Sequence, residues 1–361
     1  MSLDLPAGLE RYVKEKFDAE VVSVERLGPD LGGTTTAKAL GYGEPLRLGL
    51  RTKSGAIRDC VFHTVRSNEF GHDRRSDRAQ QAFLAWDTFG QIPRHAAALD
   101  VGVLMPDGPR SLAGSGEPFF VTDWVEGAPY SADLRRFAHG AALEPYDLER
   151  ARALATYLAE LHCRLDPDPV RWRRALRDVV GSGEGIFGIC DAFEDGAAGV
   201  QPGALPAIER LAVTWRWRLK ARAHRLSRIH GDFHPFNIVF RDGADFTLLD
   251  AARGCAGEPA DDLTALAVNY VFFAADHPER WRSGFEPLWR TFWSTYLART
   301  NDREVLACVG PFLAWRALVV ACPRFYPHLS AAARALLVRL AKSALAAPRF
   351  DPESVEELFH R

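Results

Sequence analysis

Apolar positions along the first third of the chain recur every second residue. Further on they recur every third or fourth. Residues 20–27 (EVVSVERL) alternate, with Val22 and Val24 on one side and Leu27 close behind. Residues 34–40 and 45–51 read as short strands interrupted by Gly41 and Gly43, and 58–66 (RDCVFHTVR) as a stronger one, rich in β-branched and apolar side chains. Residues 76–89 change to helical spacing through Ala79, Ala82, Phe83 and Trp86, with Ser76 or Asp77 as the cap. The apolar run 119–125 (FFVTDWV) predicts a buried strand that stops at the turn Gly127-Ala128-Pro129.

Beyond that point the pattern is mainly helical. In 147–165 the leucines 154, 158, 161 and 165 fall on one face, as an amphipathic helix requires. The stretch 181–206 is rich in glycine, alanine and acid and predicts a loop with short helical pieces. Helices are expected over 208–224, 262–274, 287–298, 303–320 and 330–347. Between them, 238–240 and 246–249 flank Asp242-Gly243, a strong hairpin signal. The expected organisation is α+β: a small antiparallel β lobe over residues 1–123 and a larger, mainly helical lobe over 124–361.

Composition changes this picture little. With 361 residues and 47% hydrophobic content the chain can bury a sizeable core. A net charge of -2 gives no general pull toward nucleic acid or anionic lipid, so neither is expected as a partner. No apolar run approaches a membrane span, and the first residues lack the pattern of a signal peptide. Cys60, Cys163, Cys190, Cys255, Cys308 and Cys322 are scattered without a CxxC pair. They read as reduced thiols, and the expected compartment is the cytoplasm.

The chemistry concentrates in His230-Gly231-Asp232-Phe233-His234-Pro235-Phe236-Asn237, followed by the hairpin and Leu248-Leu249-Asp250. Two carboxylates and an amide are thereby brought to one loop and the end of the adjoining hairpin. Phosphoryl transfer needs such a set: a carboxylate to orient the acceptor hydroxyl and accept its proton, and oxygen donors to hold Mg²⁺ against nucleotide phosphates. The same residues also offer His230-x-Asp232-x-His234 as a zinc or iron cluster, but no second clustered histidine motif accompanies it.

At these positions the sequence resembles the aminoglycoside phosphotransferase and choline kinase family, which has a two-lobed protein-kinase-like fold. The resemblance implies that Asp232 is the catalytic aspartate, His230 the histidine bracing its loop, and Asn237 and Asp250 the Mg²⁺ ligands. ATP or GTP is the implied co-substrate. Gly257-Glu258-Pro259-Ala260-Asp261-Asp262-Leu263 is similar to the family's G-D-P-x-x-D-L segment, and Leu161-His162 to a leucine-histidine pair ending a helix. The run 119–127 is similar to a hinge that reads the nucleotide base through the backbone of Asp123, Trp124 and Val125. Gly32, Gly33 and Thr34 sit where a turn covers the phosphates.

The first lobe departs from the family pattern. His63 falls where a phosphate-binding lysine belongs, with Lys53, Lys38 or Arg66 as neighbouring substitutes. Gln81, or Gln80, falls where its glutamate partner belongs. A degenerate kinase that binds without transfer is therefore the alternative to an active phosphotransferase. The implied acceptors are small hydroxyl compounds such as aminoglycosides, amino-alcohols and amino-sugars. Asp262 reads as a brace for the Asp232 loop, and Glu258 as a solvated turn residue. Trp289, Phe292, Trp293 and Tyr296, with Trp281 nearby, read as core more readily than as an aromatic cage.

Overall fold

The structure, a computed structural model, describes residues 6–27, 43 and 45–359. The chain divides into two compact units, Met1–Thr122 and Asp123–Arg361. Gly32, Gly33, Thr34 and Lys38, and the strand expected over 34–40, lie outside the described residues.

The first unit is built on an antiparallel sheet of β1 (Ala19–Arg26), β2 (Leu46–Thr52) and β3 (Ile57–Phe62), in that order. Leu46, Leu48 and Leu50 alternate along β2 and are all buried. They pack under α1 (Leu9–Phe17), whose Leu9 and Val13 are one helical turn apart and face them. A bulge between Val21 and Ser23 changes the alternation of β1. Val21 and Val24 therefore reach the core, while Val22 is exposed. Next come α2 (Arg75–Thr88) and a hairpin of β4 (Gly102–Met105) and β5 (Gly108–Ser111). Asp77 caps α2 by accepting the Arg74 N–H at 2.8 Å. None of the helix's residues is buried.

The second unit is mainly helical: α3 (Tyr130–Ala138), α4 (Pro145–Leu161), α5 (Pro169–Gly181), α6 (Ile186–Asp191), α7 (Ala204–Leu219), α8 (Ala260–Ala275), α9 (Glu286–Thr300), α10 (Val309–Ala321) and α11 (Ala331–Ala346). Short strands sit among them. β6 (Ala128–Pro129), β8 (Ile238–Phe240) and β9 (Phe246–Leu248) form one antiparallel sheet, and β7 (Ser227–Arg228) pairs with β10 (Ala256–Gly257). α8 and α10 run through the middle of the core, which is why they are apolar almost all round. No helix among the described residues is long and apolar enough to cross a membrane.

Several expectations need correction. Residues 119–125 form no strand and are not buried: Phe119 is 88% exposed and Trp124 83%. Their composition suits a pleated sheet, but a strand also needs a hydrogen-bonding neighbour, and among the described residues no strand pairs with them. The strand expected over 58–66 ends at Phe62, which leaves His63 beyond the ladder. The helix expected over 303–320 is two pieces, a 3₁₀ turn at Arg303–Ala307 and then α10. Pro311 accounts for the break, because proline lacks an N–H and is tolerated only in a helix's first turn. As expected, by contrast, the aromatic residues of α9 and Trp281 are core, with Tyr296 1% and Trp289 2% exposed. Glu258 is wholly buried rather than solvated, and both its oxygens accept from Arg225, at 2.5 and 2.7 Å.

Candidate active site

The Asp232 loop is suspended between the start of α8 and the β8–β9 hairpin. Asp262, in the first turn of α8, accepts the His230 N–H on Oδ2 and the Gly231 N–H on Oδ1, both at 2.7 Å. His162, just past α4, lies 3.2 Å from Asp262 Oδ2 through Nε2 and 2.8 Å from the Tyr296 hydroxyl through Nδ1. Burial works against the Asp262 charge, but these donors outweigh it and hold the carboxyl below its usual range. Gly231 bends the loop at φ 85°, and a Cβ there would stand 2.5 Å from the Ala252 carbonyl oxygen. Only glycine fits that turn.

His230 turns the loop inward. Its Nδ1 accepts the Asp232 N–H at 3.2 Å, and its ring also hydrogen-bonds the Leu249 backbone. Burial lowers its basicity, against the pull of the Asp262 and Asp232 charges, and favours the neutral ring. Asn237 donates from Nδ2 to the Asp232 carbonyl at 3.1 Å and to Asp232 Oδ2 at 3.3 Å. The Asn237 carbonyl in turn accepts the Leu249 N–H at 2.9 Å. One hydrogen-bonded unit thus sets Asp232, Asn237 and the residue before Asp250. Asp250 itself is exposed, at a left-handed φ of 54°.

Two arginines that the sequence reading missed complete the site. Arg316 on α10, 6% exposed, donates to Asp232 Oδ1 at 2.6 Å, to the Gly231 carbonyl at 3.0 Å and to Asp261 Oδ1 at 2.8 Å. Arg253 lies 3.2 Å from Asp261 and 4.0 Å from Asp232. Both guanidiniums stack on Trp315, at 4.3 Å for Arg253 and 3.9 Å for Arg316. Burial opposes the Asp232 charge, yet His234, 3.3 Å away, and Arg316 prevail and hold this carboxyl well below the carboxylate range. Asp261, buried more completely, is pushed up despite its two arginines. The signal for Arg316 was legible: a lone cation in the apolar run VGPFLAWRALVVA must find a buried anion.

The donor chemistry fits Mg²⁺ better than zinc or iron. Among the described residues no cluster of three or more His, Cys, Asp or Glu side chains stands ready to hold a metal. His234 Nδ1 accepts the Phe236 N–H and its Nε2 faces Asp232, so both ring nitrogens are engaged within the loop. Asn237, with its amide nitrogen committed to Asp232, keeps an oxygen for a cation, and Asp250 keeps a carboxylate. Mg²⁺ characteristically takes one or two such protein oxygens and completes its shell with phosphates and water.

His63 and Gln81 are exposed in the first unit, and no hydrogen bond joins them. Asp123, Trp124 and Val125 form an unpaired segment in which Trp124 Nε1 donates to Glu126 at 2.7 Å.

Known proteins similar to this chain are kinases and phosphotransferases. The chain is 34% identical over 132 residues to the serine/threonine protein kinase RdoA of Salmonella typhimurium, covering 35% of this chain and 38% of that protein. It is 31% identical over 135 residues to stress response kinase A of Escherichia coli K12, with the same coverage. The chain thus spans about two-fifths of the length of the curated relatives it matches. Among solved structures, a glucosamine kinase is 16% identical with a TM-score of 0.43, covering 95% of this chain and 96% of that one. A Plasmodium vivax ethanolamine kinase is 12% identical with a TM-score of 0.36, covering 94% and 87%. The family model described as "Phosphotransferase enzyme family" matches residues 74–300, which takes in the Asp232 loop, the hairpin and the start of α8 but neither the 32–34 turn nor His63. That match extends over more than half of the chain, and the chain belongs to this family of phosphotransferase enzymes.

Proposed function

We propose that this protein transfers the γ-phosphoryl group of ATP or GTP to the hydroxyl of a small molecule. A bond forms between the acceptor oxygen and γ-phosphorus, the bond to the bridging oxygen breaks, and the nucleoside diphosphate leaves. Asp232 orients the hydroxyl and receives its proton. Held ionised by Arg316 and His234, Asp232 is a weak base, so its main contribution is positioning; a loose transition state asks little more of it. Asn237 and Asp250 would hold Mg²⁺, which when bound neutralises charge on the phosphates. We assign the remaining nucleotide contacts to Gly32, Gly33, Thr34, His63 and the backbone of 123–125. On this reading residues 1–123 bind nucleotide and 124–361 carry catalysis and the acceptor.

The observation that carries the reading is the single hydrogen-bonded unit joining Asp232, Asn237 and Leu249. Its test is γ-phosphoryl transfer from Mg-ATP and Mg-GTP to a panel of hydroxyl compounds, with Asp232→Ala alongside. A protein acceptor belongs in the panel because one relative is named a serine/threonine protein kinase. Loss of turnover in Asp232→Ala with nucleotide affinity kept supports the role; turnover that survives the substitution refutes it. The second reading, a protein that binds without transfer, is favoured by His63 and Gln81 standing where the family's lysine and glutamate belong. A wild-type chain whose melting temperature rises with Mg-ATP but that transfers nothing would establish it.

A further inference from the structure

A row of rings leads away from Asp232 that none of these steps uses. The His234 ring, beside Asp232, lies 5.7 Å from Phe236. Phe236 stacks on Phe273 at 6.4 Å with an interplanar angle of 29°. Phe273 meets Phe272 edge-on at 5.1 Å, and Phe272 meets Tyr326 at 4.7 Å. Burial raises the Tyr326 phenol, and the charges of Arg135 and Asp232 both reach it, which puts the far end of the row in the same electrostatic neighbourhood.

The exposure of these rings is unusual for their surroundings. α8 is buried at every residue except Phe272 and Phe273, which are half-buried, as are Phe236 and Tyr326. Large apolar side chains left open on an otherwise sealed helix, continuous with a reactive carboxylate, are the lining expected of a ligand subsite.

Charge narrows the ligand. The Arg135 guanidinium stands 5.6 Å over the Phe236 ring, and Arg253 borders Asp232. The nearby acids are engaged: Asp261 lies between Arg316 and Arg253, and Glu184 faces Arg253 at 3.8 Å. Rings alone would suit a quaternary ammonium. Arginines beside them, with the neighbouring carboxylates already paired, disfavour a cation.

We infer that Phe236, Phe273, Phe272 and Tyr326 form a shelf that seats the phosphate acceptor, and that the acceptor is a neutral or anionic hydroxyl compound bearing a planar apolar group, not a polycationic amine. The inference rests on the phosphotransfer reading for what the shelf serves, but its test needs no transfer. Calorimetric titration of the full chain compares phenyl with methyl β-D-glucopyranoside, 3-phenyllactate with lactate, and kanamycin and choline. The ring-bearing member of each pair binds at least tenfold tighter than its ring-less partner, and kanamycin and choline bind more weakly than either ring-bearing probe. Phe273→Ala removes the tenfold ring preference while changing methyl glucoside affinity less than twofold, and Phe236→Ala, on a different element, does the same. Equal affinities within both pairs, tighter binding of kanamycin or choline, or ring preference intact in both variants overturns the inference. Ring preference without any phosphoryl transfer removes the proposed function and leaves the shelf standing. Transfer without ring preference does the reverse.

Discussion

Replacing Asp262 with asparagine removes one charge and one acceptor from a site that uses both. In the native chain its two oxygens take the His230 and Gly231 N–H groups at 2.7 Å each, and His162 adds a third contact at 3.2 Å. The side chain is fully buried, so no water replaces what is lost. An asparagine oxygen satisfies one N–H, but its NH₂ then faces the other donor. Hydrogen bonds to a charged group contribute about 1.5–3 kcal/mol each, and an unsatisfied buried donor costs about 1–3 kcal/mol. The expected loss for Asp262→Asn is about 3 kcal/mol, or roughly 6–12 °C in melting temperature for a unit of this size. Chemical unfolding at constant m-value measures it. The dependence on pH carries a sign. The folded-state carboxyl of Asp262 is held below its usual value, so its stabilisation is complete above the unfolded value, about 3.9, and fades as pH falls through the lowered one. The gap between wild type and Asp262→Asn is therefore constant near neutrality and narrows only under strong acid. A variant within about 0.5 kcal/mol of wild type, the scatter of an ordinary surface change, or a gap that widens on acidification, refutes the brace.

Three further substitutions test the same framework. Gly231→Ala forces a Cβ to within 2.5 Å of the Ala252 carbonyl at a left-handed φ, and the backbone term alone costs about 1–2 kcal/mol; urea unfolding should show at least that loss. Arg316→Met leaves Asp232 with one arginine at 4.0 Å and strips a buried partner from Asp261, so stability falls by about 3–5 kcal/mol and Arg316→Lys recovers only part of it. Glu258→Ala strands the buried Arg225 guanidinium with Asp302 as its nearest remaining carboxylate, at 2.9 Å, and loses a comparable amount by denaturant midpoint.

What the sequence reveals here is local. The hairpin at Asp242-Gly243 was legible because turn chemistry is local, although the observed pairing of Ile238 with Leu248 closes a longer loop than the two residues an Asp-Gly turn marks. The brace at Asp262 was legible because a carboxylate in the first turn of an apolar helix has few other uses. α5 went unread although Asp168-Pro169 announces it: Asp168 accepts the Val170 and Arg171 N–H groups at the helix start. α1 is nine residues long, too short for periodicity to stand out. The contacts of Arg316 with Gly231, Asp232 and Asp261 span sequence separations of 55 to 85 residues, so the sequence showed that a partner was needed but not which one. The 119–125 run misled because its apolar side chains satisfied the composition of a strand, while no strand among the described residues pairs with it.

We propose that Asn237 and Asp250 hold a divalent ion that Asp232 does not bind. Mn²⁺ in place of Mg²⁺ reads this directly, through its paramagnetic resonance spectrum with a non-hydrolysable ATP analogue bound to the full chain. Wild type should give a protein–Mn²⁺–nucleotide signal that persists in Asp232→Asn and is lost in Asn237→Ala and Asp250→Ala. A signal unchanged in Asp250→Ala, or abolished only in Asp232→Asn, contradicts it.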